Sequence, residues 1–395
     1  MRCPADHCMI ALAGRKKYGV APAVLHIITD LSDGGAQAAL YRLIRQDRSA
    51  RHVVVSLMDE GKYGPMLTKD GAQVVCLNMP RGRLTIGGLW RLWRLLKDMR
   101  PGIVQTWMYH ADFVGGLLAR MAGVRRVCWG VHHTTLEPGS SSRRTAMIAA
   151  VNARLSRWVP HCIVCCAEKA EKVHVGIGYT KDKMVVIPNG YDFKKFRPNR
   201  DARERLRHEW KISERQFVLG MVGRYDPPKD HSTLLAALAR LRKTGVTFVC
   251  VLVGRGLVPE NSAIVNQIKS YQLEGDVLLI GQRDDIPAVM NAIDVHVLSS
   301  SSEAFPNVLV EAMACGTPCV TTDVGDAALI VGENGWVVPP RNPDALAEAI
   351  QQAWWEWTNS NWATRQEAVR RYVVERFDIE RMVKAYRRVW DVGES

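Results

Sequence analysis

The 395-residue chain has no apolar run approaching the ~20 residues that cross a bilayer, so no membrane-spanning helix is expected. Its start, Cys8 to Gly14, is short and is followed by Arg15-Lys16-Lys17, the reverse of the order in a secretory signal. Residues 1–21 read as a loose N-terminal extension. There is no internal repeat, no low-complexity tract and no familiar nucleic-acid reader motif. Cys162, Cys165 and Cys166 make a Cys-x-x-Cys-Cys, but no second ligand pair follows at zinc spacing. Most of the ten cysteines lie in apolar strand-like runs, as Cys76, Cys128 and Cys250 do, and read as reduced buried thiols of a cytoplasmic protein.

What is present is a globular composition, 47% apolar and 24% charged, at a length that favours two domains. The net charge of +13 is unevenly placed. Residues 1–190 carry 27 basic and 13 acidic side chains, a balance of +14; residues 191–395 carry 26 and 27, a balance of −1. The first half is therefore expected to meet an anionic partner: a membrane surface, a pyrophosphate-linked molecule or nucleic acid. Strand candidates at Val24–Thr29, His52–Leu57, Val74–Met79, Ile103–Met108, Val127–Val131 and Cys162–Cys166 alternate with helical stretches, the pattern of a doubly wound parallel sheet. A second alternation starts at Phe217–Val222 and runs through Phe248–Val253 and Val277–Ile280.

The most informative stretch is Ser299 to Gly316. The apolar run Val295–Leu298 leads into a serine-rich loop carrying Glu303; Pro306 suits the first turn of a helix, Val308–Ala314 is helical by pattern, and Gly316 with Pro318 ends it. A helix start over the carboxyl end of a parallel strand is where ligands bind, and its free N–H groups attract phosphate. Glu303 and Glu311 would repel phosphate, so they fit as acceptors from hydroxyls of the same ligand: a sugar nucleotide, with a hexose near Glu303 and a ribose near Glu311. On spacing alone, an ordinary amphipathic helix with a solvated Glu311 is the simpler account.

The whole string decides otherwise. Glu303 and Glu311 around Phe305-Pro306-Asn307-Val308-Leu309, followed by Ala312-Met313-Ala314-Cys315-Gly316-Thr317-Pro318, resemble the signature of family-four retaining glycosyltransferases of the GT-B fold, bacterial surface-polysaccharide type. Val320–Gly325 and Asn334–Pro340 extend the resemblance, which covers residues 22 to 390. It implies an α/β fold of two Rossmann-like, doubly wound parallel-sheet domains facing across a cleft. The expected divisions are 22–190 for the acceptor, 191–376 for the nucleotide-sugar, and 377–395 as a last helix crossing back, with a hinge at Val185–Asp192.

Site residues follow by matching motifs. Gly34 and Gly35 match the family's first loop, which faces the donor phosphates; a Gly-Gly by itself is usually just a turn. Arg224 and Lys229 bracket the turn after a strand, where two cations would neutralise a diphosphate, and the family places cations there. His132 matches a histidine that hydrogen-bonds the transferred sugar, with His133 the fallback because the doublet leaves the register open. Arg283 is carried over near the base, and Phe305, Asn307 and Val308 join Glu303 and Glu311 at the donor. Asp284-Asp285 hints at a metal, but no Asp-x-Asp occurs, so a metal-independent reaction without a cofactor is expected, with Arg224, Lys229 and the helix end supplying the charge.

The resemblance thus implies retaining transfer of a hexose or N-acetylhexosamine from a nucleotide-sugar, UDP-linked ahead of GDP-linked, to a saccharide acceptor, and the basic first half with its tryptophan-bearing helix points to an acceptor linked to a polyprenyl diphosphate. The place expected is the cytoplasmic side of a membrane. The helix from Gly87 to Lys97 interleaves Trp90 and Trp93 with Arg91, Arg94 and Lys97; it reads either as a sheet-packed helix with a basic solvent face or as a membrane-surface helix, and both hold if only its rim meets lipid. A non-catalytic sugar-nucleotide-binding protein and a sugar-nucleotide epimerase are the alternatives on this fold. No nucleic-acid partner is expected.

Overall fold

The computed structural model describes residues 23–132 and 143–390; the expected extension 1–21 and His133 lie outside them. The first domain runs β1 (Ala23–Ile28), α1 (Gly35–Gln46), β2 (Arg51–Ser56), α2 (Tyr63–Lys69), β3 (Gln73–Cys76), α3 (Ile86–Met99), β4 (Ile103–Trp107), α4 (Tyr109–Met121), β5 (Arg126–Val131), α5 (Arg143–Leu155), β6 (Cys162–Cys165), α6 (Glu168–Gly176) and β7 (Met184–Val186). The second runs α7 (Arg200–Glu209), β8 (Val218–Val222), α8 (His231–Lys243), β9 (Val249–Val253), α9 (Ser262–Ser270), β10 (Val277–Gly281), α10 (Ile286–Ala292), β11 (Val295–Leu298), α11 (Asn307–Ala314), β12 (Cys319–Thr322), α12 (Ala327–Val331) and β13 (Trp336–Val338). Three helices follow: α13 (Pro343–Asn359), α14 (Trp362–Arg376) and α15 (Ile379–Trp390).

Two parallel sheets result, ordered β3-β2-β1-β4-β5-β6-β7 and β10-β9-β8-β11-β12-β13. Helices cover both faces, so the central strands are buried end to end rather than alternately: Leu25, His26, Ile27 and Ile28 of β1 and Val251, Leu252 and Val253 of β9 are all fully buried. In each sheet the order reverses once, between β1 and β4 and between β8 and β11. Those reversals open the crevices in which ligands of such sheets sit.

Local chemistry sets the helix starts. Thr85, Asp230 and Asn342 cap α3, α8 and α13, each side chain accepting a backbone N–H. Helix α1 begins at Gly35, with Gly34 in the cap position. Strand β3 ends at Cys76, although Leu77 N still donates to Ser56 O at the end of β2, at 2.9 Å, and Met79 N to Leu57 O just beyond it, at 3.0 Å.

Helix α15 returns to the first domain. Trp390 is fully buried and donates its Nε1 to Gln105 Oε1 at 3.1 Å, and Arg387 pairs with Asp47 at 2.6 Å. Beside it, Tyr191 and Asp378 form a parallel bridge, so the two crossings between the domains touch. Burying side chains such as Trp390, Tyr386 and Met382 contributes about 1.5–3 kcal/mol each.

Candidate functional site

The loops at the two reversals face one another. In the second domain the loops after β8 and β11 are zipped together: Ser301 N donates to Pro228 O at 2.8 Å, and Ser299 Oγ lies 3.0 Å from the carbonyls of both Lys229 and Asp230. Gly254, just after β9, packs closely on the same β8 loop, since a Cβ there would stand 2.0 Å from Gly223 O. The zipping brings Lys229 Nζ to 2.5 Å from Glu303 Oε1, and Ser300 Oγ donates to the same oxygen at 2.8 Å. Both ends of the pair retain some solvent contact, with side chains 18% and 15% exposed.

Two buried histidines flank this pair. Burial, and then the charge of Lys229, hold His231 down at about 4 and His296 at about 3. Both stay neutral near neutral pH. Arg224 stands at the mouth, half exposed, its Nε donating to Asp226 at 2.7 Å.

Helix α11 starts just past Glu303. Pro306 occupies its cap position rather than its first turn, which leaves Asn307 as first helical residue. Phe305 is buried with its ring edge-on to Phe377, anchoring the loop. Glu311 is half-buried on the same helix; burial raises its pKa, while Arg42 and Lys195 act against that shift.

The first domain meets α11 at its start. Asn307 Oδ1 accepts from Arg42 Nη2 at 3.3 Å, from Asn189 Nδ2 at 3.1 Å and from the Tyr191 hydroxyl. A Cβ at Gly35 would stand 2.9 Å from Asn307 Nδ2. The amino ends of α1 and α11, one from each domain, therefore abut across the cleft, and Gly35 is the residue of α1 that touches, whereas Gly34 packs on Gln37 of its own helix. His132 directly follows β5 on the first domain's side of this cleft, its ring stacked on Trp107 at 5.0 Å.

The structure thus unites Lys229, Glu303, Asn307, Gly35 and the start of α11. It does not free Arg283, whose guanidinium is bidentate on Asp285 at 2.7 and 2.9 Å and also pairs with Glu209 at 2.6 Å; these bonds raise its pKa further. Sequence reasoning missed Arg42, Tyr191 and Asp326 as contributors to the cleft. Asn189 belonged to a Pro-Asn-Gly read only as a hinge. None carries a local signal, because their partners lie more than 100 residues away in the chain.

The catalytic chemistry open to this arrangement is charge stabilisation. A cation, a free helix start and a carboxylate converge where a diphosphate and a sugar would lie side by side.

Comparison with known proteins agrees with that geometry. The family model for glycosyl transferases group 1 matches residues 202–371, and that for a glycosyl transferase 4-like domain matches residues 34–190. The chain is 28% identical to the glycosyltransferase EpsF of Bacillus subtilis over 76% of its length and 79% of that protein. It is 29% identical to the UDP-Gal:alpha-D-GlcNAc-diphosphoundecaprenol alpha-1,3-galactosyltransferase of Escherichia coli, over 66% of this chain and 68% of that one. Among solved structures, HepE of Anabaena in complex with UDP-glucose superposes with a TM-score of 0.82 at 24% identity, covering 93% of this chain and 99% of its own. With one family model on each sheet, the chain belongs to the family-four glycosyltransferases of the GT-B fold, the bacterial polysaccharide type.

Proposed function

We propose that this glycosyltransferase moves a hexose or N-acetylhexosamine from a UDP-sugar to a saccharide carried on a polyprenyl diphosphate, with retention at the anomeric carbon and without a metal. The observation that carries the reading is the Lys229–Glu303 pair beside the start of α11, at 2.5 Å. Lys229, Arg224 and the first N–H groups of α11 take the donor diphosphate; when the sugar enters, Glu303 exchanges part of its contact with Lys229 for a sugar hydroxyl. Retention follows if the departing diphosphate takes the acceptor's proton on the face it leaves. The protein then supplies orientation and charge stabilisation, and His132 positions the sugar. Metal independence rests on these cations and on the lack of an Asp-x-Asp string.

UDP as the base-bearing half is supported by the UDP-glucose bound to the Anabaena protein, and a lipid diphosphate acceptor by the name of the Escherichia coli relative. No helix among the described residues is long and apolar enough to cross a membrane. Contact with the cytoplasmic membrane face is assigned instead to α3 and the turn before it. Ile86 is 87% exposed and Trp90 57%, with Arg81, Arg83, Arg91, Arg94 and Lys97 exposed around them.

Thermal unfolding with UDP and with GDP at matched concentrations tests the donor. A ligand at ~100 times its dissociation constant adds about 2.7 kcal/mol, so a real site raises the midpoint visibly. Stabilisation by UDP alone supports the reading; stabilisation by GDP alone, or by neither, overturns it.

A further inference from the structure

We propose that Trp107 is a positioning residue for His132, itself held by a buried hydrogen-bond chain that begins on the last helix. The proposal rests on the reading of His132 as the residue that positions the transferred sugar.

The chain of contacts is continuous. Arg387 of α15 donates to Asp47 Oδ1 at 2.6 Å. His52 Nε2 lies 3.2 Å from the Asp47 carbonyl and 3.5 Å from its carboxylate. His52 Nδ1 lies 3.0 Å from His26 Nε2, and His26 Nδ1 lies 3.2 Å from Trp107 Nε1. Trp107 then stacks on His132, with ring centres 5.0 Å apart and planes 19° from parallel. His26 and Trp107 are fully buried, and His52 and Asp47 nearly so.

The roles in this chain have one solution. An indole nitrogen only donates, so His26 Nδ1 accepts. Burial, with the neighbouring His52, keeps the His26 imidazole neutral, so its single proton sits on Nε2 and is donated to His52 Nδ1. The His52 proton is then on Nε2 and points at Asp47, which Arg387 holds from the other side. Every link is polarised the same way, from Trp107 outward to the ion pair. The indole plane is thereby fixed at its nitrogen and is also stacked with Tyr386 of α15, 5.8 Å away.

The strand ends that carry Trp107 and His132 are also fastened to each other. Asp112 Oδ1 accepts from Thr106 Oγ1 at 2.6 Å and from Gly130 N at 3.2 Å, and Met108 N donates to Gly130 O at 2.9 Å. Met108 pays for that turn with a φ of 73°, a conformation that non-glycine residues hold only where their surroundings over-determine it. Nothing in the transfer chemistry uses Trp107, His26 or His52 directly, and a plain apolar core would need none of these polar groups. Their combined effect is to define one plane against which His132 rests. The last helix, which follows the second domain in sequence, thus sets a site residue of the first.

The test reads the ring signals of His132 in the UDP-saturated protein by NMR, with His132→Gln assigning them. In the native protein these protons should show cross-relaxation to the Trp107 indole and an upfield ring-current shift. Trp107→Leu should move them downfield. It should also lower kcat about 10–100-fold, measured as UDP release from UDP-glucose, UDP-galactose and their N-acetylated counterparts, with the donor KM unchanged. Trp107→Phe, which keeps an aromatic face but cannot donate, should restore most of kcat while changing the His26 imidazole nitrogen shifts. If the leucine variant does not fold, Trp107→Met carries the same measurement with a better-filled cavity. Absent cross-relaxation in the native protein, or unmoved His132 signals and kcat in a folded variant, overturns the positioning role. Unchanged His26 nitrogens in Trp107→Phe overturn the chain. Normal turnover in His132→Gln instead overturns the reading of the histidine, so the two failures are distinct.

Discussion

The Asp326 carboxylate, on the loop after β12 of the second domain, accepts the backbone N–H of Glu168 at 2.7 Å and caps α6 of the first. Its other oxygen takes Lys169 N at 2.9 Å. Asp326 is placed for this by the donor loop itself: its own N–H donates to Ala304 O at 2.9 Å, next to Glu303. Gly325 makes that fit, since at φ 54° a Cβ would stand 2.2 Å from Ala304 O. Together with the Asn307 contacts, the residues that build the proposed donor site are therefore also those that hold the two domains against each other.

Asp326→Ala and Asn307→Ala should open the cleft. A lost helix cap costs about 1 kcal/mol, a several-fold shift in the closing equilibrium. Small-angle scattering should show a larger radius of gyration for either variant without ligand, and UDP should draw it back. An unchanged radius in the double variant would show that these contacts do not govern closure.

Lys229→Ala should lower kcat about 10²–10³-fold, the usual cost of removing one donor aimed at developing charge, while UDP affinity by calorimetry falls far less. Arg224, half exposed and paired with Asp226, should show the same pattern with a smaller loss. Glu303→Ala should raise the KM for the UDP-sugar without weakening UDP itself. Intact turnover in the Lys229 and Arg224 variants together contradicts the charge-stabilisation mechanism.

Asp112 should make stability fall with rising pH. Burial raises its carboxyl to about 8 despite the bonds from Thr106 and Gly130 that lower it. Its unfolded value is about 3.9, so the folded chain binds this proton more tightly between those limits. The stabilising contribution is full below about pH 4 and is lost as pH rises toward 8. Asp112→Asn keeps the acceptor oxygen and removes the titration. Urea midpoints at about pH 5 and about pH 8 should show the variant gaining on the native protein by up to about 1.4 kcal/mol per pH unit. A constant difference would mean that Asp112 does not titrate there.

The strand-loop-helix from Val295 to Gly316 was legible because its parts are local: an apolar run, a polar loop, a proline and a terminating glycine. Lys229 and Glu303 stood out by motif as candidates, but their contact did not, since it needs the loops after β8 and β11 to zip. The basic excess of the first half was plain from counting, whereas its buried acids, Asp47 and Asp112, were hidden among surface charge. The cap on α6, the clasp on Asn307 and the path from Arg387 to Trp107 join residues far apart in the chain. Helix periodicity carries no trace of such pairs. It could show that α3 has a basic, tryptophan-bearing face but not which residues stand clear of the sheet.

The structure divides that helix and so sharpens the membrane prediction. Leu92 and Leu96 are buried, and Trp93 is partly covered with Lys97 Nζ 4.9 Å from its ring centre. Ile86 and Trp90 project, with Leu84 half exposed on the preceding turn. Arg94 lies 5.4 Å from the Trp90 ring and pairs only loosely with Asp98, at 3.6 Å. An exposed pair of that kind is worth well under about 1 kcal/mol, so lipid phosphate can take the guanidinium at little cost. Each basic side chain near an anionic surface adds about 1 kcal/mol, and the apolar trio adds insertion. Flotation with vesicles of phosphatidylglycerol should therefore carry the protein at low salt and release much of it at high salt, where the screening length shrinks to about 3 Å. Ile86→Ser with Trp90→Ser should cut binding at every salt concentration, and Arg91→Gln with Arg94→Gln should flatten the salt dependence. Neither pair should lower donor-dependent thermal stabilisation, because the diphosphate contacts proposed above come from Arg224, Lys229 and the start of α11 in the second domain. A protein that stays unbound at low salt would move the acceptor from a lipid carrier to a soluble saccharide.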